Sequence, residues 1–423
     1  MSKQKTANSP SISSILRIAG DIDAFAALTD GGKGVTRLAY SRLERAAHEH
    51  FANEMTALGL DVTTDAAGNT IAELRPTEQG DLPAIGTGSH LDSVPEGGRF
   101  DGIAGVVAAM EVARQVVRDA IPRQRPWRFV VFAAEEGARF GQACNGSRMI
   151  AGSTTSRETY ELVDDSGTSM AEAMRLVGLR PDDIESARWE AKDWFAFLEL
   201  HIEQGAVLES RGISIGAVDA ISGSTRFSVT VLGQASHTGG TPMHLRRDAL
   251  VTAAACVTAC DALARDPQHH GTRITVGRLT VHPGSITTIP GKVEFTVDIR
   301  DVDSQRQRRT AEALGEVFGR IAEEGSTSLV VAVMGDTSPV VLPEWVTRHV
   351  IAAANELGLG FLVLPSGASH DSQQVNRIAP TGMIFVPSRH GLSHVPEEFT
   401  TSEQIACGTD VLLRAMMRLD GAR

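Results

Sequence analysis

The chain folds around one stretch, Gly88-Ser89-His90-Leu91-Asp92-Ser93-Val94-Pro95-Glu96-Gly97-Gly98-Arg99-Phe100-Asp101-Gly102. An apolar run from Leu82 to Thr87 precedes it and predicts a buried strand. His90 and Asp92 are two residues apart, so on extended backbone their side chains leave from the same face. Asp92 is then placed to hold one ring nitrogen of His90 while the other nitrogen binds a metal.

The glycines of this stretch predict a tight return of the chain after the strand. The return delivers Asp101 directly before a predicted helix, where the helix dipole favours a carboxylate. A carboxylate in that place can also bridge two cations. The competing interpretation is a surface loop with an incidental histidine, and this stretch alone leaves both open.

The composition indicates an acidic globular chain. Its 423 residues favour two domains, and 42% hydrophobic residues support sizeable cores. The formal net charge of -12 argues against nucleic acid and anionic membranes as partners. Four cysteines are few for this length and favour a reducing, cytoplasmic setting. No apolar run approaches membrane-spanning length; residues 1 to 12 are polar, and we expect them to be disordered rather than a signal peptide.

Three predicted apolar strands end in residues that can bind metals. The first leads to His90, the second (residues 128–134) stops at Glu135-Glu136, and the third (194–200) stops at His201. Ligands of open α/β sheets gather at the carboxyl ends of strands, so three such ends are a stronger signal than one. Taken singly, paired acids more often form a solvated loop, and a lone histidine is more often structural.

The middle of the chain follows a different pattern. From Gly216 onward the predicted order is strand, helix, strand, strand, helix, strand, which is the split βαβ arrangement. We therefore expect an α/β fold whose large catalytic metal-binding domain, residues 1–214 and 335–423, has a mixed sheet flanked by helices. Residues 215–334 would form an inserted ferredoxin-like (split βαβ) lid and dimerisation domain. Its open edge strand predicts a homodimer.

The candidate metal ligands are His90, Asp101, Glu136, His201 and His394. Two divalent cations a few Å apart need about this set. Its two carboxylates leave the cations with residual positive charge, which would lower the pKa of a water held between them. Glu135 could take that proton and pass it to a leaving nitrogen. A serine or cysteine nucleophile has no supporting motif, and neither has a nucleotide site.

With these residues in place, the chain resembles the hydantoinase/carbamoylase family of binuclear metal amidohydrolases, within the wider group of aminoacylase-like metallopeptidases. The resemblance rests on motifs in the family's order. They are GSHLDSVPEGGRFDG (88–102), EEGARF (135–140), LHIEQG (200–205), GQASHTGGTPM (233–243), IPGKVEFTVDIR (289–300), SGASHD (366–371) and FVPSRHGLSHVPEE (385–398).

The resemblance implies a division of the ligands between two divalent ions, each Zn, Mn, Co or Ni. One ion would be held by His90, Asp101 and His201, and the other by Asp101, Glu136 and His394. Asp92 would orient His90, and Glu135 would be the general acid/base. The residues implied to contact substrate are Gln204, His237, His370 and Arg300, with His237 stabilising the oxyanion and Arg300 clamping a carboxylate.

Two positions depart from the family pattern and put substrate choice in doubt. Thr287 stands where the family usually has Asn, and Ser369 replaces the second Gly of Gly-Ala-Gly-His-Asp. Family members cleave the carbamoyl group of small ureido acids. We expect an N-carbamoyl-L-amino acid, with ureidoglycolate and allantoate as alternatives. A peptidase or aminoacylase, or a non-catalytic binding protein on the same fold, remains a competing class.

Overall fold

A computed structural model describes residues 12–77 and 80–422. The expected N-terminal disorder and lack of a signal peptide concern residues that lie, except for Ile12, outside these ranges. The chain forms two compact units, one through Asp219 and again from Val341, the other from Ala220 to Val340. Within the described ranges, no helix combines the length and apolar character needed to cross a membrane.

The helices and strands, in chain order, are α1 (Ile15–Ala26), α2 (Arg42–Ala57), β1 (Asp61–Thr64), β2 (Thr70–Leu74), β3 (Ala84–His90), α3 (Ile103–Arg118), β4 (Trp127–Phe132), α4 (Asn145–Ile150), α5 (Ser156–Glu161), α6 (Met170–Leu176), β5 (Trp194–Ile202), α7 (Val207–Arg211), β6 (Ile215–Ile221), β7 (Gly223–Leu232), β8 (Ser236–His237), α8 (Ala249–Arg265), β9 (Arg273–His282), β10 (Thr288–Ile289), β11 (Lys292–Asp301), α9 (Ser304–Glu324), β12 (Ser328–Thr337), β13 (Val340–Val341), α10 (Glu344–Glu356), β14 (Phe361–Ser366), α11 (Asp371–Val375), β15 (Thr381–Val386) and α12 (Ser402–Asp420).

The first unit is built on a large mixed sheet, which confirms the predicted α/β class. Its strand order is β1-β2-β4-β3-β5-β15-β6-β13, with β14 also paired to β6. The central strands β4, β3, β5 and β15 run parallel, whereas β2 and β6 are antiparallel to their inner neighbours. Parallel strands have their carboxyl ends at one edge, so the residues that follow these four strands are brought together.

The central strands are buried on both faces. Alternate residues of β4 belong to different cores: Phe129 and Val131 pack with α3 and α12, while Val130 and Phe132 pack with residues of α4 and α6. Burying each such side chain contributes roughly 1.5–3 kcal/mol. This two-sided burial explains why the strands appear in the sequence as continuous apolar runs rather than alternating ones.

The second unit has an antiparallel four-stranded sheet in the order β12-β7-β11-β9, with helices α8 and α9 packed against it. Strand β11 alternates, and its buried residues are Val293, Phe295, Val297 and Ile299. A short ribbon of β8 and β10 pairs His237 with Thr288. The helices cover the apolar face of the sheet, and the residues of β11 between the buried ones, Lys292, Glu294, Thr296, Asp298 and Arg300, lie on the opposite face.

Candidate active site

The four parallel strands deliver the candidate ligands to one edge of the sheet. His90 is the last residue of β3, and Glu135 and Glu136 follow β4. His201 is the penultimate residue of β5, and the chain leaving β15 continues to His394. The predicted strand ended at Thr87, but β3 continues to His90.

Asp101 lies between the histidines and joins two groups of ligand atoms. Its Oδ1 is 3.2 Å from Nε2 of His201 and 3.7 Å from Nε2 of His90. Its Oδ2 is 3.4 Å from Nε2 of His394, which is also 3.3 Å from Oε1 of Glu136. Within each group, His90-Asp101-His201 and Asp101-Glu136-His394, the ligand atoms lie within 4.8 Å of one another.

The two buried histidines of the first group present Nε2 to Asp101 because their Nδ1 atoms face other acceptors. Nδ1 of His201 lies 2.9 Å from the carbonyl oxygen of Ile202. Nδ1 of His90 lies 3.4 Å from Oδ1 of Asp92 and 3.3 Å from its carbonyl oxygen. With a proton on each Nδ1, Nε2 is the atom that could bind an ion at the cluster, which is the tautomer a metal ligand requires.

The charges in this cluster shift one another's titration. Burial opposes the charged forms, yet the facing histidines hold the pKa of Asp101 well below its usual range. Burial raises the pKa of Glu136 well above its usual range and also raises the pKa of Glu135. A glutamic acid with a raised pKa holds its proton closer to neutral pH, which suits proton transfer.

Glu135 is buried beside the ligands, and both its oxygens have defined neighbours. Oε1 accepts a hydrogen bond from the Cys144 thiol at 3.0 Å, and Oε2 is 3.9 Å from Nε2 of His90. The backbone is held by Asp92, whose two oxygens accept the N–H groups of Glu135 and Glu136 at 2.9 and 2.8 Å. Asp92 therefore fixes the end of β4 as well as His90.

Three of the predicted substrate contacts lie in the first unit. The amide nitrogen of Gln204 donates to Oδ2 of Asp101 at 2.7 Å. Its Oε1 is buried and finds no hydrogen-bond partner within the described ranges. His370 lies 2.8 Å from Oγ of Ser366 through Nε2, and its ring centroid is 4.5 Å from that of His201. Ser369 directly precedes His370, in the loop between β14 and α11.

The other three, His237, Thr287 and Arg300, belong to the second unit. Nδ1 of His237 accepts the backbone N–H groups of Gly239 and Gly240, each at 3.0 Å. This nitrogen is therefore unprotonated, and the neutral ring carries its proton on Nε2 as a donor. The Thr287 carbonyl accepts the N–H of Thr238 at 3.2 Å, so the ribbon brings Thr287 beside His237.

Arg300 lies near the end of β11 with its guanidinium tied to that strand. Its Nε donates to Oδ2 of Asp298 at 3.0 Å, and a quarter of the side chain is exposed. Asp298 also lies 3.7 Å from Nε of Arg226 on the paired strand β7. The neighbouring carboxylate restricts the directions that the Arg300 fork can take.

Several residues of the site escaped prediction. Glu199 is buried on β5, where its oxygens accept hydrogen bonds from Ser89 and Ser372 at 2.9 and 2.6 Å. Its spacing of two from His201 was the available signal. Glu199, His201 and His370 also cluster, but Glu199 already has these donors, so we assign it a hydrogen-bonding role. Cys144 had no signal, because its contact with Glu135 depends on the turn between β4 and α4.

The arrangement is that of a metal-dependent hydrolase. Imidazoles and carboxylates form two groups that share Asp101, and the buried Glu135 lies beside them without belonging to either group. A family model described as "Peptidase family M20/M25/M40" matches residues 86–418. The chain belongs to this family, and it is a hydrolytic enzyme.

Similar proteins narrow the kind of hydrolase. An N-carbamoyl-L-amino-acid amidohydrolase of Paenarthrobacter aurescens is 41% identical over 96% of this chain and 98% of its own. A ureidoglycolate hydrolase of Arabidopsis thaliana is 35% identical, covering 94% of this chain and 85% of its own. The crystal structure of a hydantoinase/carbamoylase family amidase from Burkholderia vietnamiensis superposes with a TM-score of 0.89, at 33% identity, over 98% of this chain and all (100%) of that one. The predicted family resemblance and amidohydrolase class are confirmed.

Proposed function

We propose that this protein hydrolyses the carbamoyl C–N bond of an N-carbamoyl-L-amino acid, releasing ammonia, carbon dioxide and the amino acid. One observation carries the proposal: Asp101 is shared by two candidate ligand groups, and Oε2 of Glu135 lies 3.9 Å from Nε2 of His90, a member of one of them. That arrangement serves hydrolysis of an unreactive amide, because activation of water and transfer of its proton are both provided for.

We propose that His90, Asp101 and His201 hold one divalent ion and that Asp101, Glu136 and His394 hold the other. The donor set fits, since imidazole and carboxylate ligands suit Zn, Mn, Co or Ni. His90 and His201 also present Nε2 inward. When bound, such ions supply positive charge that polarises a carbonyl and makes water easier to ionise.

Glu135 is proposed as the general acid/base. Its burial raises its pKa, and the Cys144 thiol holds one oxygen, which leaves Oε2 on the side of His90. From this position it can accept a proton from the attacking water and deliver it to the departing nitrogen. Asp92 supports both steps by holding the Glu135 backbone and orienting His90.

Gln204, His237, His370 and Arg300 are the residues proposed to bind the substrate, as the family resemblance implies. Oε1 of Gln204, which has no hydrogen-bond partner among the described residues, is a buried acceptor suited to a ureido N–H. His237, with its proton on Nε2, is a donor suited to the oxyanion. Arg300 is proposed to pair with the substrate carboxylate through its planar fork. His370, Thr287 and Ser369 would shape the rest of the pocket.

Ureidoglycolate is the second candidate substrate. It is motivated by Thr287 and Ser369, which depart from the family pattern at predicted substrate-binding positions, and by the Arabidopsis thaliana relative. Allantoate shares the ureido acid chemistry and belongs in the same comparison.

We also propose a homodimer formed through the second unit, read as a split βαβ lid and dimerisation domain. Strand β12 is an edge of its sheet and carries exposed apolar side chains. They are Val330, Val331, Val333 and Met334. Charged or shielded edges are usual in monomers, so an apolar edge favours association. A cytoplasmic location, predicted from the few cysteines, completes the proposal.

An ammonia-release assay tests the function. Purified protein would be supplied in turn with Mn²⁺, Co²⁺, Ni²⁺ or Zn²⁺ and offered N-carbamoyl-L-amino acids, their D-enantiomers, ureidoglycolate and allantoate. We expect the highest kcat/KM with an N-carbamoyl-L-amino acid. A higher value with ureidoglycolate or allantoate would replace the proposed substrate, and release from none of them would overturn the carbamoyl hydrolase.

A further inference from the structure

Glu398 clamps the loop that carries Asp101. Its Oε1 accepts the backbone N–H groups of Phe100 and Asp101 at 2.9 and 3.0 Å. These partners are 298 and 297 residues away in sequence, so the clamp joins the chain after β15 to the chain after β3. Glu398 is 3% exposed, which makes this a buried carboxylate that satisfies two consecutive amides.

The same residue reaches the Asp101 side chain through Ser393. Oγ of Ser393 lies 2.6 Å from Oδ2 of Asp101 and 2.8 Å from Oε2 of Glu398. The Ser393 hydroxyl has one proton, so it donates to either Asp101 or Glu398 at any one time. The loop approaches so closely that a Cβ at Gly98 would lie 2.0 Å from Oε1 of Glu398, so only glycine fits there.

We propose that Glu398, acting through Ser393 and the loop amides, is a positioning residue that sets the orientation of the Asp101 carboxylate. The orientation matters because Oδ1 faces His201 and His90, whereas Oδ2 faces His394. A rotated carboxylate would leave one of the two ligand groups incomplete. The inference rests on the proposed metal centre and adds a residue that belongs to neither candidate ligand group.

A purely structural role is the competing explanation, and Asp420 offers a matched control for it. Its carboxylate accepts the backbone N–H groups of Gln124 and Arg125 at 2.8 and 3.1 Å, from 296 and 295 residues away. It is 6% exposed and also accepts from Nε1 of Trp127, the first residue of β4. Asp420 therefore makes the same kind of buried clamp at the opposite end of that strand from Glu135.

The experiment titrates Mn²⁺ into metal-free protein by calorimetry and measures kcat and KM in parallel. The variants are Glu398→Ala, Glu398→Gln, Ser393→Ala and Asp420→Ala, each with its thermal unfolding midpoint. We expect Glu398→Ala to weaken binding of at least one ion by about 10–100-fold and to lower kcat more than it raises KM. Ser393→Ala should weaken it in the same direction by less.

Glu398→Gln should stay within a few-fold of the parent. Its amide oxygen can still accept the two loop N–H groups, and its nitrogen can donate to Ser393, which leaves the Ser393 proton for Asp101. Asp420→Ala should unfold at lower temperature yet bind Mn²⁺ like the parent. If Glu398→Ala fails to fold, Ser393→Ala decides the question through its Mn²⁺ affinity.

If folded Glu398→Ala binds Mn²⁺ as tightly as the parent, Glu398 is not a positioning residue. If Glu398→Ala does not fold, the same result in Ser393→Ala would overturn the role. Equal weakening in Asp420→Ala would also overturn it, because loss of stability would then explain the effect. If the parent protein itself binds no Mn²⁺, the proposed metal centre is wrong. This outcome distinguishes failure of the metal centre from failure of the role of Glu398.

Discussion

Oδ1 of Asp92 accepts the backbone N–H of Glu135 at 2.9 Å, which links a residue that follows β3 to one that follows β4. The same oxygen is 3.4 Å from Nδ1 of His90. The Asp92 carboxylate thus helps to position both His90, a candidate ligand, and Glu135, the candidate acid/base. The positions of His90 and Glu135 are therefore coupled through Asp92.

Replacing Glu135 by Gln should abolish proton transfer while leaving the ligands intact. The carboxamide matches the carboxylate in size but cannot carry the proton, so we expect kcat to fall by about 10²–10⁴-fold with unchanged metal content. Elemental analysis and steady-state kinetics measure the two quantities. Glu111→Gln is the control, since Glu111 is a buried acid paired with Arg17 at 2.6 Å. Near-parental turnover in Glu135→Gln would exclude the role.

Removal of divalent metal should abolish activity reversibly. The two ligand groups converge on Asp101 in the manner of a metal site, so we expect hydrolysis to need the ions that these groups would hold. Prolonged chelation followed by gel filtration should give inactive protein with a lower unfolding midpoint, since ions that bind only the folded state stabilise it. Adding Mn²⁺, Co²⁺, Ni²⁺ or Zn²⁺ should restore both properties. Full activity in protein shown to be metal-free contradicts the prediction.

Arg300→Lys should lower kcat/KM for the ureido acid substantially, because an ammonium cannot reproduce two parallel hydrogen bonds to a carboxylate. The parent enzyme should also prefer each acid over its carboxamide analogue, and the variant should lose most of that preference. Arg265→Lys is a suitable control, since Arg265 is an exposed arginine bonded to Asp261 at 2.8 Å. Equal kcat/KM for acid and amide in the parent would show that Arg300 does not bind the carboxylate.

The protein should sediment as a homodimer whose subunits complement one another. The family resemblance implies that His237 and Arg300 act at the neighbouring subunit's metals. Mixing inactive His237→Ala and Glu135→Gln subunits should then restore part of the activity, because a heterodimer contains one site with both residues intact. Each variant subjected to the same dissociation and reassociation alone is the control. A fully active monomer in sedimentation would refute the model.

His48 should make stability depend on pH in the acid range. Burial lowers the pKa of His48 to about 3, against roughly 6.5 in an unfolded chain. The unfolded state therefore binds a proton first, and the stability that His48 contributes above about pH 6.5 is lost as pH falls towards 3. His48→Asn can keep the bond to Thr70 Oγ1, 2.9 Å from Nδ1, but does not titrate.

The measurement is the free energy of unfolding of parent and His48→Asn between about pH 5 and 8. The free energy of unfolding of the parent minus that of the variant should be constant near pH 8. Below about pH 6.5 this difference should fall by up to about 1.4 kcal/mol per pH unit. The exposed His270, replaced by Asn, controls for loss of an imidazole. If the difference in free energy of unfolding between parent and variant does not change with pH, His48 is not held neutral in the folded protein.

The chain order of the strands and the candidate ligands could be predicted from the sequence alone. Continuous apolar runs that stop at His90, Glu135 and His201 identify strands buried on both faces, because such strands need no polar face. The alternation of β11 identified a sheet with one apolar face in the same way. These signals are local, and the spacing of side chains along a strand or helix is the same in every fold.

The tertiary structure alone decided which groups support the candidate ligands. Glu398 meets Phe100 across 298 residues, and Gln204 meets Asp101 across 103. No periodicity connects such positions. The Cys144 thiol reaches Glu135 only because Cys144 and Ala134 both adopt positive φ, 61° and 53°, in the turn between β4 and α4. Hydrogen bonds of this kind depend on where separate loops cross at the edge of the sheet, and that is settled by the packing of the whole unit.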